Sequence, residues 1–188
     1  NEGRLWGENT DGKGYLTSLR NENIDIGGKH VTILGAGGAS RAISIECALA
    51  GAKKITIANI VRDQGEELVD LINKRTDAQA EFVFWEGPFE VPADTDIFSN
   101  ATSVGLFPDT DQKPNVNYET VKANMVVTDV IFNDPNSLFL QEAAKRGAKT
   151  INGLGMLVNQ AAMNFTLWTG EEAPVELMTE TLRKEFNL

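Results

Sequence analysis

Short apolar runs and amphipathic stretches alternate along the chain. Lys29-His30-Val31-Thr32-Ile33-Leu34 is rich in β-branched residues and leads straight into Gly35, which predicts a strand entering a tight turn. Ala39 to Leu49 then carries the small and apolar residues of a packed helix. Lys53 to Ala58 repeats the strand pattern after the stop signal of Gly51, and Gln64 to Lys74 follows with Leu68, Leu71 and Ile72 on one helical face. Further strands are expected at Glu81 to Trp85, Asp96 to Ser99, Met125 to Phe132 and Lys149 to Ile151. The run Met125 to Phe132 is nearly continuous in apolar character, as in a strand covered on both faces. Helices are expected at Ser137 to Arg146 and at Met156 to Trp168, the second with Leu157, Ala161, Phe165 and Trp168 as a recurring stripe. Ahead of the first strand, Thr10-Asp11 can cap a helix from Gly12 to Arg20 whose buried stripe is Tyr15, Leu16 and Leu19. Strand and helix in alternation mean an α/β fold with a mostly parallel sheet.

Composition narrows the function classes. The 188 residues include 17 Lys+Arg against 27 Asp+Glu, a net charge of −10, which argues against a nucleic-acid partner. With 41% apolar and 23% charged residues, the chain is globular in character rather than disordered. No run of about 18 apolar residues occurs and no basic-then-apolar signal opens the chain, so no membrane role or export is expected and a reducing cytoplasm is. Cys47 is the only cysteine, which excludes an internal disulfide and a cysteine-rich metal site. Its place in the apolar run Ala42 to Ala52 favours a buried, inert thiol over a nucleophile. The polar, proline-bracketed stretch Phe107 to Pro114 reads as a surface loop.

Between the first strand and its helix stands Gly35-Ala36-Gly37-Gly38-Ala39-Ser40. A dinucleotide fold needs residues without side chains here, so that a diphosphate can approach backbone N–H groups at a helix N-terminus. The spacing G-x-G-x-x-G/A is met at Gly35 and Gly37 and ends in Ser40, small enough to let helix pack on strand. Gly35, Ala36, Gly37, Gly38 and Ala39 are therefore candidate cofactor-binding residues; the alternative is a turn that is merely tight. Joined to the alternating elements, this turn gives the expected class: α/β, Rossmann-like and doubly wound, with helices on both faces of the sheet. The adenosine ribose is normally read at the end of the second strand, where Asn59, Arg62 and Asp63 stand. Asp63 lies 28 residues after Gly35, beyond the usual spacing of about 20. A carboxylate there binds ribose hydroxyls and repels a 2′-phosphate, whereas Arg62 does the reverse. Asp63 as the cap of a helix starting at Gln64 is equally open, and NAD is favoured over NADP.

Three further stretches complete a pattern: Asn9-Thr10-Asp11-Gly12 with Gly14, Ser99-Asn100-Ala101-Thr102-Ser103-Val104-Gly105, and Gly153-Leu154-Gly155-Met156-Leu157-Val158-Asn159-Gln160-Ala161-Ala162 running on to Leu167-Trp168-Thr169-Gly170. In this order, over nearly the whole chain, they resemble the shikimate dehydrogenase family with its quinate/shikimate branch, and within it the nucleotide-binding domain. The resemblance implies reversible hydride transfer between NAD or NADP and the carbon bearing a ring hydroxyl of shikimate, giving 3-dehydroshikimate, or of quinate, in aromatic amino acid biosynthesis. It gives Asp11 a catalytic place, contacting a substrate hydroxyl beside a lysine, since an alcohol yields hydride only as its O–H proton is removed. From the residues alone Asp11 reads as a helix N-cap, and it can hold both roles. Gln160 matches a glutamine that binds substrate hydroxyls and lies one turn beyond Met156, so both can face one cleft; alone it reads as a surface amide. Gly153 and Met156 correspond to positions lining the nicotinamide pocket, with Met156 as core filler left open. Thr102 is the expected direct contact in its stretch, the alternative being that Asn100 and Ser103 only satisfy turn backbone. Backbone near Ile131 is expected to touch the nicotinamide.

Two departures from the family pattern bear on specificity. Phe132 stands where the family often has Tyr, so a phenolic contact to substrate is missing. After the second strand the chain reads Asn59-Ile60-Val61 where NADP-preferring members have Asn-Arg-Thr, a second reason to favour NAD. The family's catalytic lysine precedes the Asn-Thr-Asp motif in an amino-terminal substrate domain that has no counterpart in the chain, which is therefore expected to bind nucleotide without efficient turnover by itself. The segments expected are 1–28 as linker helix and substrate-side segment, 29–152 as the NAD(P)-binding unit, and 153–188 as helices packing toward the missing domain. A homodimer is the candidate assembly, and no metal is expected. The competing readings are a non-catalytic nucleotide-binding module and a related enzyme such as methylenetetrahydrofolate dehydrogenase.

Overall fold

The structure, a computed structural model, describes Gly3 and residues 7–186; the other terminal positions of the expected 1–28 and 153–188 segments lie outside the described residues. Strands β1 (His30–Leu34), β2 (Lys54–Asn59), β3 (Gln79–Phe84), β4 (Ile97–Asn100), β5 (Val126–Asp129) and β6 (Lys149–Ile151) form one sheet in the order β3-β2-β1-β4-β5-β6. Every neighbouring pair is parallel, because each strand returns through a crossover rather than a hairpin. The helices are α1 (Asp11–Asn21), α2 (Gly38–Leu49), α3 (Arg62–Arg75), α4 (Leu138–Lys145), α5 (Leu154–Thr169) and α6 (Val175–Glu185). Among the described residues, none is long and apolar enough to cross a membrane.

β1 is buried at every position because its alternating side chains serve two cores. Val31 and Ile33 enter a cluster with Ile55, Ile57, Tyr15, Leu19, Ile43, Leu68, Ile72 and Met156, so α1, α2, α3 and α5 share one face of the sheet. Leu34 joins Ala58, Phe98, Val127, Phe139 and Ala143 on the other face, where α4 packs beside the loop residues Phe89, Val116 and Met125. Each fully buried Ile or Leu contributes roughly 1.5–3 kcal/mol, so this doubly covered strand is a rigid base for the turn that follows it. Cys47 is fully buried in the first cluster, and burial pushes its thiol pKa up, which leaves it an inert core residue.

α1 runs antiparallel along α5. Thr10 Oγ1 donates to Asn164 Oδ1 at 3.1 Å, a Cβ on Gly14 would lie 2.8 Å from the carbonyl oxygen of Met156, and Gly155 abuts Ser18. On its other side, a Cβ on Gly12 would overlap the carbonyl oxygen of Ala42 in α2. Tyr15 adds a polar anchor below: its Oη lies 2.7 Å from Ser99 Oγ and 3.1 Å from Thr128 Oγ1.

Several local expectations are corrected. Neither Thr10 nor Asp11 caps α1 with its side chain: the Thr10 hydroxyl is committed to Asn164. Asp11 is the first helical residue and donates its N–H to Asn9 Oδ1 at 3.0 Å. Asp63 does not cap α3, which starts at Arg62 with Val61 before it; Asp63 lies inside the first turn, where a carboxylate favours the helix dipole. The strand in the near-continuous apolar run, β5, ends at Asp129, and Val130, Ile131 and Phe132 leave the sheet. The stripe Leu157, Ala161, Phe165, Trp168 is not the buried face of α5: Trp168 is 81% exposed, whereas Met156, Val158 and Asn159 are buried. α5 is apolar at most positions, so spacing alone cannot choose a face. The close approach to α1 chooses it.

Candidate active site

The order of the sheet reverses between β1 and β4, and at such a point the connections leave toward opposite faces and open a crevice at the carboxyl ends of the strands. Gly35 follows β1 at φ +99°, and a Cβ there would meet the carbonyl oxygen of Ala101 at 2.8 Å, so glycine is needed for both conformation and contact. Its N–H donates to the Ala58 carbonyl at 2.7 Å. Ser40 Oγ donates to the Gly35 carbonyl at 2.7 Å, closing the turn with a residue that is small and also polar. Gly37 precedes α2 without a side-chain cap, and the first turn of α2 holds no acidic residue. Gly37 and Gly38 have open space where a Cβ would stand. The N–H groups of that turn therefore face a gap fit for an anion. Ala36 is buried in the core and, like Gly35, shapes the turn from behind.

In front of the turn is a cleft of about 380 Å³ lined by Asp11, Gly37, Gly38, Ala39, Ala101, Thr102, Ser103, Leu106, Val130, Ile131, Phe132, Gly153, Met156, Leu157 and Gln160. It unites most of the residues singled out from sequence. α1 delivers Asp11 and α5 delivers Met156 and Gln160, and the contact at Gly14 sets the two helices close enough to share a wall. A Cβ on Gly153 would lie 2.5 Å from the Ile131 carbonyl oxygen, so this glycine admits the Val130–Ile131 backbone against the start of α5. Among the described residues no lysine lines the cleft; Lys13 pairs with Glu8 instead, and Lys29 lies 3.3 Å from Asp96. A larger hollow of about 510 Å³ between α1, β6, α5 and α6 touches Ser18, Asn159 and Arg183 but none of the glycine turn.

Asn59, Arg62 and Asp63 stand apart from the cleft, at the end of β2. Asn59 is buried and donates to the Val61 carbonyl at 2.9 Å, holding the strand-to-helix bend. The Arg62 guanidinium lies 4.6 Å from the Phe84 ring centre and 3.2 Å from Glu66. Asp63 is exposed.

One residue to which the sequence assigns no role of its own organises the far wall. Asp129 is 3% exposed and accepts from Asn100 Nδ2 at 3.0 Å, from the Ile131 N–H at 3.1 Å and from Ser137 Oγ at 2.6 Å. Burial raises its pKa to about 6, against the pull of those three donors. Asn100 Oδ1 in turn accepts from the N–H and hydroxyl of Thr102 at 3.1 and 2.7 Å. Asn100 thus satisfies turn backbone, and Thr102 lines the cleft with its hydroxyl already engaged. A charged residue inside an apolar strand was the available signal.

Residues 153–183 match the family described as Shikimate 5'-dehydrogenase C-terminal domain. The chain is 41% identical over 184 residues to the shikimate dehydrogenase (NADP(+)) of Methanopyrus kandleri, a match covering 96% of this chain and 63% of that relative. It is similar to the solved ligand-free 5-ketofructose reductase of a Gluconobacter strain, with TM-score 0.92, 46% identity and coverage of 98% of this chain and 66% of that one. It is similar also to the shikimate 5-dehydrogenase of Listeria monocytogenes solved with shikimate and NAD, with TM-score 0.87, 35% identity and coverage of 97% and 65%. The chain spans less than two thirds of the length of the Methanopyrus relative. With a parallel sheet in this order, the glycine turn at its switch point and these matches along nearly all its length, the chain is similar to the C-terminal, nucleotide-binding portion of shikimate dehydrogenases.

Proposed function

We propose that the chain is the cofactor-binding part of an NAD(P)-dependent dehydrogenase that interconverts shikimate and 3-dehydroshikimate, or acts on quinate. The observation that carries this reading is the convergence of Asp11, Gln160 and Met156 with Gly37, Gly38 and Thr102 around one cleft. The N–H groups at the start of α2 hold the diphosphate, and Ala101, Ile131 and Gly153 bound the space beyond it. The nicotinamide, when bound, takes up or returns the hydride. Asp11 and Gln160 accept and orient the ring hydroxyls of the substrate. The proton of the reacting hydroxyl passes to a lysine that the resemblance places upstream of Asn9, with Asp11 beside it. Exposed Asp63, with Arg62 held by Phe84 and Glu66, supports NAD, while the Methanopyrus relative is named for NADP(+). Titration with each coenzyme decides. A cytoplasmic homodimer completes the reading, and sedimentation velocity tests the assembly. The central experiment is oxidation of shikimate and quinate by the full-length protein with and without Asp11→Asn; activity that survives the substitution undiminished would refute the role of Asp11.

A second reading is favoured by the 46% identity to 5-ketofructose reductase and by Phe132 in place of the family's frequent Tyr. In it the same cleft serves reduction of a sugar ketone. Reduction of 5-ketofructose at a higher kcat/KM than that for 3-dehydroshikimate would establish it.

A further inference from the structure

We propose that Asp129 is a positioning residue for the nicotinamide end of the cleft, its buried carboxylate tying the loops that follow β4 and β5 into a single wall. This rests on the dinucleotide reading above. Asn100 and Asp129 are register partners at the last rung between β4 and β5, so their side chains stand side by side where both strands end. From there a chain of side-chain hydrogen bonds runs in both directions. Ser137, the N-cap of α4, donates to one carboxylate oxygen at 2.6 Å; Asn100 Nδ2 and the Ile131 N–H share the other at 3.0 and 3.1 Å. Asn100 carries the link on to Thr102, whose Oγ1 accepts from the Val104 N–H at 3.2 Å. Two of its members on either side of the carboxylate, Thr102 and Ile131, line the cleft.

The diphosphate side has hydrogen bonds of its own, although Gly35 packs against Ala101 of the loop after β4. Gly35 is held by the Ala58 carbonyl and by Ser40, and none of those bonds includes Asp129. Loss of the carboxylate leaves an amide N–H, a hydroxyl and a side-chain amide without their acceptor in a buried place, which costs more than the bonds themselves are worth. The loops must then move to reach water. The glycine turn need not.

That separation makes the test selective. ADP occupies only the adenosine and diphosphate places, whereas NAD or NADP also reaches the wall. In the intact protein, Asp129→Ala is expected to weaken dinucleotide binding by about tenfold and ADP binding by less than about twofold. Turnover of the substrate should lose more in kcat than in KM, since the wall sets orientation. Asp129→Asn restores most of the affinity, because its amide oxygen still accepts from Asn100 and Ile131 while its NH2 donates to a rotated Ser137 hydroxyl. Should Asp129→Ala fail to fold, Ser137→Ala removes one donor at a residue outside the cleft and is expected to show the same selectivity at smaller size. Equal losses for ADP and dinucleotide, or no loss for either, would overturn the latch. A native protein that binds ADP but no dinucleotide would overturn the dinucleotide reading and the latch with it, whereas native binding unchanged by both substitutions would overturn the latch alone.

Discussion

At the amino ends of the strands, several polar side chains pair with one another. His30 Nε2 lies 2.8 Å from Thr56 Oγ1, which donates to Glu81 at 2.8 Å, and Lys54 lies 2.9 Å from Glu81. His30 Nδ1 is 3.2 Å from an Asp94 oxygen but without hydrogen-bond alignment. Burial, the leading cause, lowers the His30 pKa, so at neutral pH this contact is not a charged bridge and its distance overstates it. At the carboxyl ends, by contrast, the α2 N–H groups, Asp11 and Gln160 face open space, and the buried carboxyl of Asp129 is spent on holding backbone in place. At the carboxyl edge polar groups thus line a cleft, while at the opposite edge Lys54 and Lys29 are paired with Glu81 and Asp96.

Substitutions at the carboxyl edge should dominate. Asp11→Asn in the full-length enzyme is expected to lower kcat by about 10²- to 10⁴-fold with coenzyme affinity unchanged, read by steady-state kinetics beside a coenzyme titration. Next comes a contrast within the turn. Gly35→Ala meets the Ala101 carbonyl oxygen at 2.8 Å with φ at +99° and should destabilise by about 1–3 kcal/mol in urea. Gly37→Ala meets nothing within 4 Å and should leave the urea midpoint in place while weakening diphosphate binding. If both lose equal stability, the turn is tight for folding only.

Asp129 provides the pH-dependent member of the series. Its pKa is raised from 3.8 to about 6 in the folded protein, so the native state binds more protons than the unfolded chain between those values. Its contribution is therefore most favourable below about 4 and is lost as pH rises through about 6, with roughly 3 kcal/mol set against the ionised form at neutral pH. Asp129→Asn should flatten that part of the stability profile, as seen in urea midpoints taken from pH 4 to 8. A profile unaltered by the substitution would mean that the carboxylate is better solvated than its burial implies. The smallest effect belongs to the amino edge: Asp94→Asn, at a side chain 67% exposed, should change stability by less than about 1 kcal/mol and leave activity untouched. A large loss of turnover there would break the comparison between the edges.

Strands, helices and the glycine turn were legible in the sequence because they are local: alternation of two in Val31 and Ile33, stop signals at Gly51 and Gly147, and Gly35 and Gly37 at the first strand-helix junction. Membership of the cleft was legible only through motif order, since nothing in the spacing of Asp11 and Gln160 says that they meet. The face buried by α5 was not legible at all. A helix apolar almost all round has no preferred side until Gly14 and Gly155 let α1 approach it. Nor was Asp129, which meets Ser137 eight residues on and Asn100 twenty-nine residues back; a carboxylate in an apolar strand looks like an interruption until the register of β4 and β5 supplies its donors. The sequence by itself determined the elements, the turn and the charge balance, because backbone preferences and side-chain periodicity act over a few residues. The cleft and the buried latch were decided only by tertiary structure, because hydrogen-bond geometry and close packing depend on which distant segments the sheet brings side by side.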